Sequence, residues 1–219
     1  MTNRPYFASY YRWIVASQRL RVDLSAARLL DVGCDDASFL GRSSARLRVG
    51  VDLMPRARAE SGIEIVRADA RRLPMLQGAF DCILLFDVLE HVEHDRAVMH
   101  DLLRVLAPGG TLWLSTPARD TRFWPKFIHP YANYAFGHVR NGYTPEQLRA
   151  LLPDERWRMD LFYWNEPLLR AAFVPLHLAD RLAPALADRA TRWCFALDSR
   201  WPEGKHGHLF GRVTARERG

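Results

Sequence analysis

The chain has 219 residues, 48% of them hydrophobic, and a formal net charge of +6 from 31 Lys and Arg against 25 Asp and Glu. That length suits one domain over 1–219, with room for a sheet covered by helices on both faces. No run of about eighteen apolar residues occurs, which excludes a spanning helix, and the N-terminus lacks the apolar core and cleavage pattern of a secretory signal. The three cysteines, Cys34, Cys82 and Cys194, have no metal spacing, so reduced thiols in a cytoplasmic protein are expected. The positive charge is almost wholly arginine, with Lys126 and Lys205 the only lysines. It is scattered rather than clustered, which disfavours nucleic acid as a partner.

Residues 1–27 carry an aromatic stripe (Tyr6, Phe7, Tyr10, Tyr11, Trp13) and are expected to form a helical cap that packs on the domain or closes over a pocket. Arg28–Val32 is an apolar run broken by Asp31 and read as a buried strand. It ends at a turn containing Gly33, and 37–43 starts a helix. Strand–turn–helix is the unit in which α/β proteins hold nucleotides beyond the carboxyl end of a strand. Further strands are expected over 48–52, 63–66 and 82–86. The spacing of 95–106 is helical, stopped by Pro108-Gly109-Gly110. Residues 111–115 form a fifth strand. The segment 117–143 is too long and aromatic for an ordinary connection, and such loops are usually functional. Thr144 and Pro145 suit the N-cap and first position of a helix. Strands follow over 158–164 and 208–215. Between them, 165–200 reads as an insertion of apolar, arginine-edged helices broken at Pro175 and Pro184. It packs on the domain, walls an apolar pocket, or touches a membrane surface as an amphipathic helix does.

Asp31, Asp52, Asp69 and Asp87 each end or closely follow an apolar run. In a parallel sheet that spacing gathers them along one edge. An acid about twenty residues past the first turn is placed to accept from a ribose hydroxyl. An anion at Asp31 repels a pyrophosphate and suits a cationic or amine-bearing ligand.

The segments Asp31-Val32-Gly33-Cys34, Gly50-Val51-Asp52-Leu53, Ala68-Asp69-Ala70-Arg71-Arg72-Leu73-Pro74 and Phe86-Asp87-Val88-Leu89-Glu90-His91 occur in this order. So do Leu106-Ala107-Pro108-Gly109-Gly110 and Gly137-His138-Val139-Arg140-Asn141-Gly142-Tyr143. Over residues 28–152 the chain resembles class I S-adenosylmethionine-dependent methyltransferases of the small-molecule type. The resemblance implies a Rossmann-like, seven-stranded, mostly parallel sheet with helices on both faces and the last strand antiparallel. It also implies S-adenosylmethionine as cofactor. Gly33 and Cys34 would approach its methionine part and Asp31 its ammonium. Asp52, with Leu53 beside it, would hold the ribose hydroxyls. Asp69 and Ala70 would meet the adenine amine, and Phe86 and Asp87 would border the sulfonium.

The chain departs from the family in having Asp35 and Ala37 where glycine is usual. Glycine serves there for backbone angles other residues resist, although aspartate does visit the left-handed region. A non-catalytic cofactor-binding or scaffold protein is therefore one alternative. A nicotinamide-dependent oxidoreductase is another, but Gly-x-Gly-x-x-Gly is missing. An RNA methyltransferase is disfavoured, since neither the Asn/Asp-Pro-Pro-aromatic motif nor a Pro-Cys nucleophile is present.

For an oxygen acceptor, His91, His138 and Tyr143 are the candidate catalytic residues by motif position. No His/Asp/Glu set shows metal spacing in the sequence. The acceptor side is assigned to 117–143, and a small or amphipathic, lipid-like metabolite is the expected substrate.

Overall fold

In a computed structural model of the chain, the described residues are 28–56, 62–120, 137–165, 167–200 and 207–216. The expected N-terminal cap (1–27) and most of the aromatic part of the 117–143 loop (121–136) lie outside them. The elements run β1 (Arg28–Val32), α1 (Ser38–Arg42), β2 (Leu47–Asp52), β3 (Glu64–Arg67), β4 (Phe80–Phe86) and a 3₁₀ turn (Leu89–His91). They continue with α2 (Asp95–Val105), β5 (Leu106–Pro117), α3 (Pro145–Arg149), β6 (Trp157–Trp164), α4 (Pro167–Leu182), α5 (Pro184–Asp198) and β7 (His208–Ala215).

The strands form one seven-stranded sheet in the order β3-β2-β1-β4-β5-β7-β6. Strands β1 to β5 pair in parallel, whereas β7 is antiparallel to both β5 and β6. The Rossmann-like order with an antiparallel last strand is therefore as the sequence implies. Alternate side chains point to opposite faces, and the two faces carry separate cores. Leu30, Val32, Ile83, Leu85, Leu112 and Leu114 pack with Val98, Met99 and Leu102 of α2. Leu29, Leu84, Phe86 and Phe210 pack with Phe39 and Leu40 of α1 and with Leu169, Leu176 and Phe195 of α4 and α5.

Two boundaries differ from expectation. Strand β5 begins at Leu106 rather than 111, because Gly109 and Gly110 are carried within it and a register shift near Phe80 and Cys82 absorbs them. A Cβ at Gly110 would lie 2.9 Å from the carbonyls of Ala107 and Asp81, so that bend needs glycine. Helix α4 runs through Pro175 instead of breaking there. Proline removes one hydrogen bond and crowds the preceding turn, but Leu169 and Leu176 are buried on either side of it. Their spacing of two turns keeps one face against the sheet. The break comes at Ala183, where Pro184 opens α5. Helix α3 begins as expected, with Thr144 and Gln147 in a reciprocal capping box and Pro145 in the first turn.

Candidate active site

The carboxyl ends of β3, β2, β1 and β4 lie side by side, and they bring Asp69, Asp52, Asp31 and Asp87 into one row. Asp31 sits within β1 opposite Gly50 and Leu84 and is 4% exposed. Asp52 closes β2, and its two oxygens accept from backbone amides, Oδ1 from Met54 at 2.8 Å and Oδ2 from Asp35 at 3.1 Å. These bonds fix the carboxylate's direction. Leu53 beside it is 59% exposed and forms an apolar rim. Asp69 follows β3 and holds Arg71 through Nε at 3.0 Å and Nη2 at 2.6 Å, which keeps its carboxyl below the ordinary range. Ala70 stands half-buried next to it.

The turn after β1 is held by the amides of Gly33 and Cys34, which donate to the carbonyl of Val51 at 2.8 and 3.2 Å. Gly33 has φ +77, and a Cβ there would collide with the Val88 side chain. The bare backbone at Gly33 is thus a steric requirement as well as a conformational one. Asp35 and Ala37, where the resembling family prefers glycine, adopt φ 45 and 55. The glycine-like path of the turn is kept although two side chains are added. Asp35 is also tied through its carboxylate to Arg56. With Asp87, at φ 51, these are the non-glycine residues with positive φ among those described, and all of them line this edge. Strain of this kind concentrates at ligand clamps and active sites. Cys34 is buried, and its thiol is pushed well up, first by burial and then by Asp31, Asp52 and Asp35. It remains a neutral thiol. Gly50 makes room for it, since a Cβ there would stand 2.7 Å from the Cys34 sulfur.

Beyond β4, Phe86 turns its ring into the core at 5.1 Å from Phe39. Asp87 accepts from the Ser115 hydroxyl at 2.8 Å and faces His208 Nε2 at 3.6 Å. His208 opens β7, a strand that sequence spacing does not connect to Asp87 at all.

His91 and His138 meet with ring centroids 4.8 Å apart in an edge-on arrangement. The 137–143 segment is docked on the 3₁₀ turn by the Val139 amide, which donates to the Glu90 carbonyl at 2.9 Å. His138 is pulled down to about 4, first by burial and then by His91 and His208, against the opposing pull of Asp87. The ring is therefore neutral near neutral pH, with a lone pair on one nitrogen. Glu90 is 1% exposed, and one ligand atom each from Glu90, His91 and His138 lies within 4.8 Å of the others. That cluster escapes sequence spacing because His138 arrives from a separate segment.

Tyr143 has a different setting. It is 3% exposed, donates to Asp95 Oδ2 at 2.8 Å, and accepts from Arg140. Arg140 also reaches the carbonyls of Leu89 and Glu93 at 3.1 Å. Burial and Asp95 raise the phenol well above its usual range. These contacts make Tyr143 a strut between the 140s loop and the start of α2.

Comparison with known proteins agrees with this geometry. Residues 7–156 match a family model described as a methyltransferase domain. The ubiquinone biosynthesis O-methyltransferase of Xanthomonas oryzae pv. oryzae is 37% identical over 109 residues, covering 44% of this chain and 45% of the relative. That of Xanthomonas euvesicatoria pv. vesicatoria is 32% identical over 141 residues, covering 52% and 59%. The chain spans about half the length of the curated relatives it matches. An S-adenosylmethionine-dependent methyltransferase from Mesorhizobium loti superposes with a TM-score of 0.61 at 19% identity, covering 94% of this chain and 100% of that one. Phosphoethanolamine N-methyltransferase 2 of Haemonchus contortus, solved with S-adenosyl-L-methionine, gives 0.65 at 12% identity, covering 95% and 53%. At such identities the likeness is one of fold. The strand order, the bare turn at Gly33 and the family match over two thirds of the sequence together say that the chain belongs to the methyltransferase-domain family.

Proposed function

We propose that the protein transfers the methyl group of S-adenosylmethionine to an oxygen of a small metabolite. The observation that carries the reading is the row Asp69, Asp52, Asp31 and Asp87 at the carboxyl ends of neighbouring strands. S-adenosylmethionine bears an ammonium and a sulfonium and no phosphate, so a row of carboxylates suits it and repels a dinucleotide. The turn keeps the glycine-dependent path that this reading needs, with Gly33 at φ +77 and the Val88 side chain filling the place a Cβ would take.

In this reading Asp52 holds the ribose hydroxyls in an orientation fixed by its two amide bonds. Leu53 covers the ribose edge, and Asp69 with Ala70 meets the adenine amine. Asp31 pairs with the ammonium beside Gly33 and Cys34. Asp87 borders the reacting end, with the Phe86 ring behind it in the core. When bound, S-adenosylmethionine supplies a methyl group on a positively charged sulfur. The protein's part is to align an acceptor oxygen with it, and near-attack positioning is worth about 7–11 kcal/mol. His91 and His138 take the acceptor side, Asp87 and His208 flank them, and Tyr143 fixes the loop that presents His138.

Oxygen as the accepting atom is supported by the O-methyltransferase relatives. A lipid-like acceptor, and peripheral contact of 165–200 with a membrane surface, draw support from the apolar surface of α4 and α5. Leu178, Leu182, Leu186 and Trp193 are 54%, 87%, 62% and 66% exposed there. Among the described residues no helix is long and apolar enough to cross a membrane. The test is methyl incorporation from labelled cofactor into phenols and catechols beside primary and secondary amines. Label in the hydroxylated acceptors is expected; label in the amines alone overturns the oxygen assignment.

A further inference from the structure

We propose that Asp35 and Arg56 form a clasp that presets the Asp52 carboxylate for the ribose, so that both are positioning residues for the cofactor; the clasp rests on the methyl-transfer reading for the identity of that ligand.

The segment after β2 is short of packing. Leu53 and Met54 are 59% and 77% exposed, so their side chains give it little apolar hold on the domain. What fastens it is polar. The Arg67 guanidinium donates to the Leu53 carbonyl at 2.8 Å, and the Arg56 amide donates to the Asp35 carbonyl at 3.0 Å. The Arg56 guanidinium also closes on the Asp35 carboxylate, Nε donating to Oδ1 and Nη2 to Oδ2. A backbone bond and a forked ion pair therefore join the same two residues. Such a fork fixes orientation as well as distance.

That junction encloses Asp52. Its Oδ2 accepts from the Asp35 amide at 3.1 Å and its Oδ1 from the Met54 amide at 2.8 Å. One donor lies in the turn after β1; the other stands two residues before Arg56. The clasp thus couples the two stretches of backbone that aim the carboxylate. Without it the donors are uncoupled, and ordering them is drawn from the binding energy of the ligand.

The conformation of Asp35 agrees with this role. Its φ of 45 is an angle that glycine holds freely. A side chain there also brings a third acid beside Asp31 and Asp52, and all three help to push the Cys34 thiol up. Glycine would avoid the angle and the added charge, but it could not hold Arg56. The guanidinium offsets that charge while it closes the junction. Exposed ion pairs usually contribute little; bidentate geometry within a network is the case in which they count.

Isothermal titration of the full chain with S-adenosylhomocysteine and with its 2′,3′-dideoxy analogue tests the clasp. The proteins are wild type, Asp35→Gly, Arg56→Ala, the double variant and Arg56→Lys. Glycine at 35 keeps the amide that serves Asp52 and removes only the side chain. Each of Asp35→Gly and Arg56→Ala is expected to bind S-adenosylhomocysteine about fivefold more weakly, the upper end for an exposed ion pair. The double variant loses no more than either, because the pair acts as one unit. Arg56→Lys keeps the charge without the fork and falls between wild type and Arg56→Ala. The analogue has no ribose hydroxyls for Asp52 to hold, so all five proteins bind it alike. Unfolding midpoints check that each variant folds. Additive losses in the double variant, or the same loss for the analogue as for S-adenosylhomocysteine, overturn the clasp. No binding of S-adenosylhomocysteine by the wild type removes the methyl-transfer reading and the ribose role with it; wild-type binding with undiminished affinity in the variants removes the clasp alone.

Discussion

Replacing Gly33 by alanine isolates the steric demand of the cofactor turn. Two penalties add in the folded state. Holding an L-residue at φ +77 costs about 1–2 kcal/mol. Forcing a methyl against Val88 in a packed environment costs about 1–3 kcal/mol more. Against these, alanine restricts the unfolded chain and returns about 0.4–1 kcal/mol. The net loss is about 1–4.6 kcal/mol, which for a chain of this size lowers the melting temperature by roughly 2–18 °C. The two penalties are separable because the side chain met by the new methyl belongs to a single residue, Val88. In the double variant Gly33→Ala/Val88→Ala the clash disappears and the φ penalty stays. Chemical denaturation of the wild type, both single variants and the double variant gives the coupling, expected at about 1–3 kcal/mol in favour of the pair. Strict additivity, or a Gly33→Ala variant as stable as the wild type, refutes the close approach of Val88 to the turn.

Three other outcomes follow from the same geometry. His138→Ala retains wild-type affinity for S-adenosylhomocysteine in calorimetry but slows turnover at least tenfold; unchanged turnover removes the residue from the acceptor side. Tyr143→Phe leaves Asp95 and Arg140 without their shared phenol, at about 1–3 kcal/mol of stability. Denaturation shows that loss while kcat stays within a factor of about three, and a collapse of kcat at unchanged stability would make Tyr143 catalytic instead. At the other end of the sheet Arg28 donates to Asp81 from its amide and guanidinium, holding the carboxyl at about 2. A carboxyl depressed in the folded state stabilises above its unfolded value, near 3.9, and loses that contribution as pH falls through about 2. Melting temperatures of wild type and Asp81→Asn should therefore differ at pH 5 and converge toward pH 2; a constant gap contradicts the pairing.

The carboxylate row was legible in the sequence because it is periodic. Each of Asp31, Asp52, Asp69 and Asp87 ends or follows a short apolar run, and parallel pairing converts that spacing into one edge. The cap at Thr144 was legible for a similar local reason, whereas the antiparallel direction of β7 came only from the family resemblance. What stayed hidden depends on distant segments meeting. Glu90 and His91 sit beside His138 only because the Val139 amide docks the later loop on the 3₁₀ turn. His208 reaches Asp87 only because β7 inserts between β5 and β6. Tyr143 looked catalytic by motif position, yet its hydroxyl is engaged by Asp95 and Arg140. The path of α4 through Pro175 was masked by proline's ordinary role as a breaker, which burial of Leu169 and Leu176 outweighs.

The central claim is that the row of carboxylates holds a phosphate-free, positively charged nucleoside. Calorimetric titration of the full chain and of Asp52→Ala with S-adenosylhomocysteine and with NAD tests it most directly. Two charge-assisted hydrogen bonds from a ribose, each worth about 1.5–3 kcal/mol, correspond to a loss of roughly 100-fold or more when the carboxylate is removed. The account predicts saturable binding of S-adenosylhomocysteine by the wild type, that loss in Asp52→Ala, and no binding of NAD. Binding of NAD alone, or equal binding of S-adenosylhomocysteine by both proteins, would contradict it.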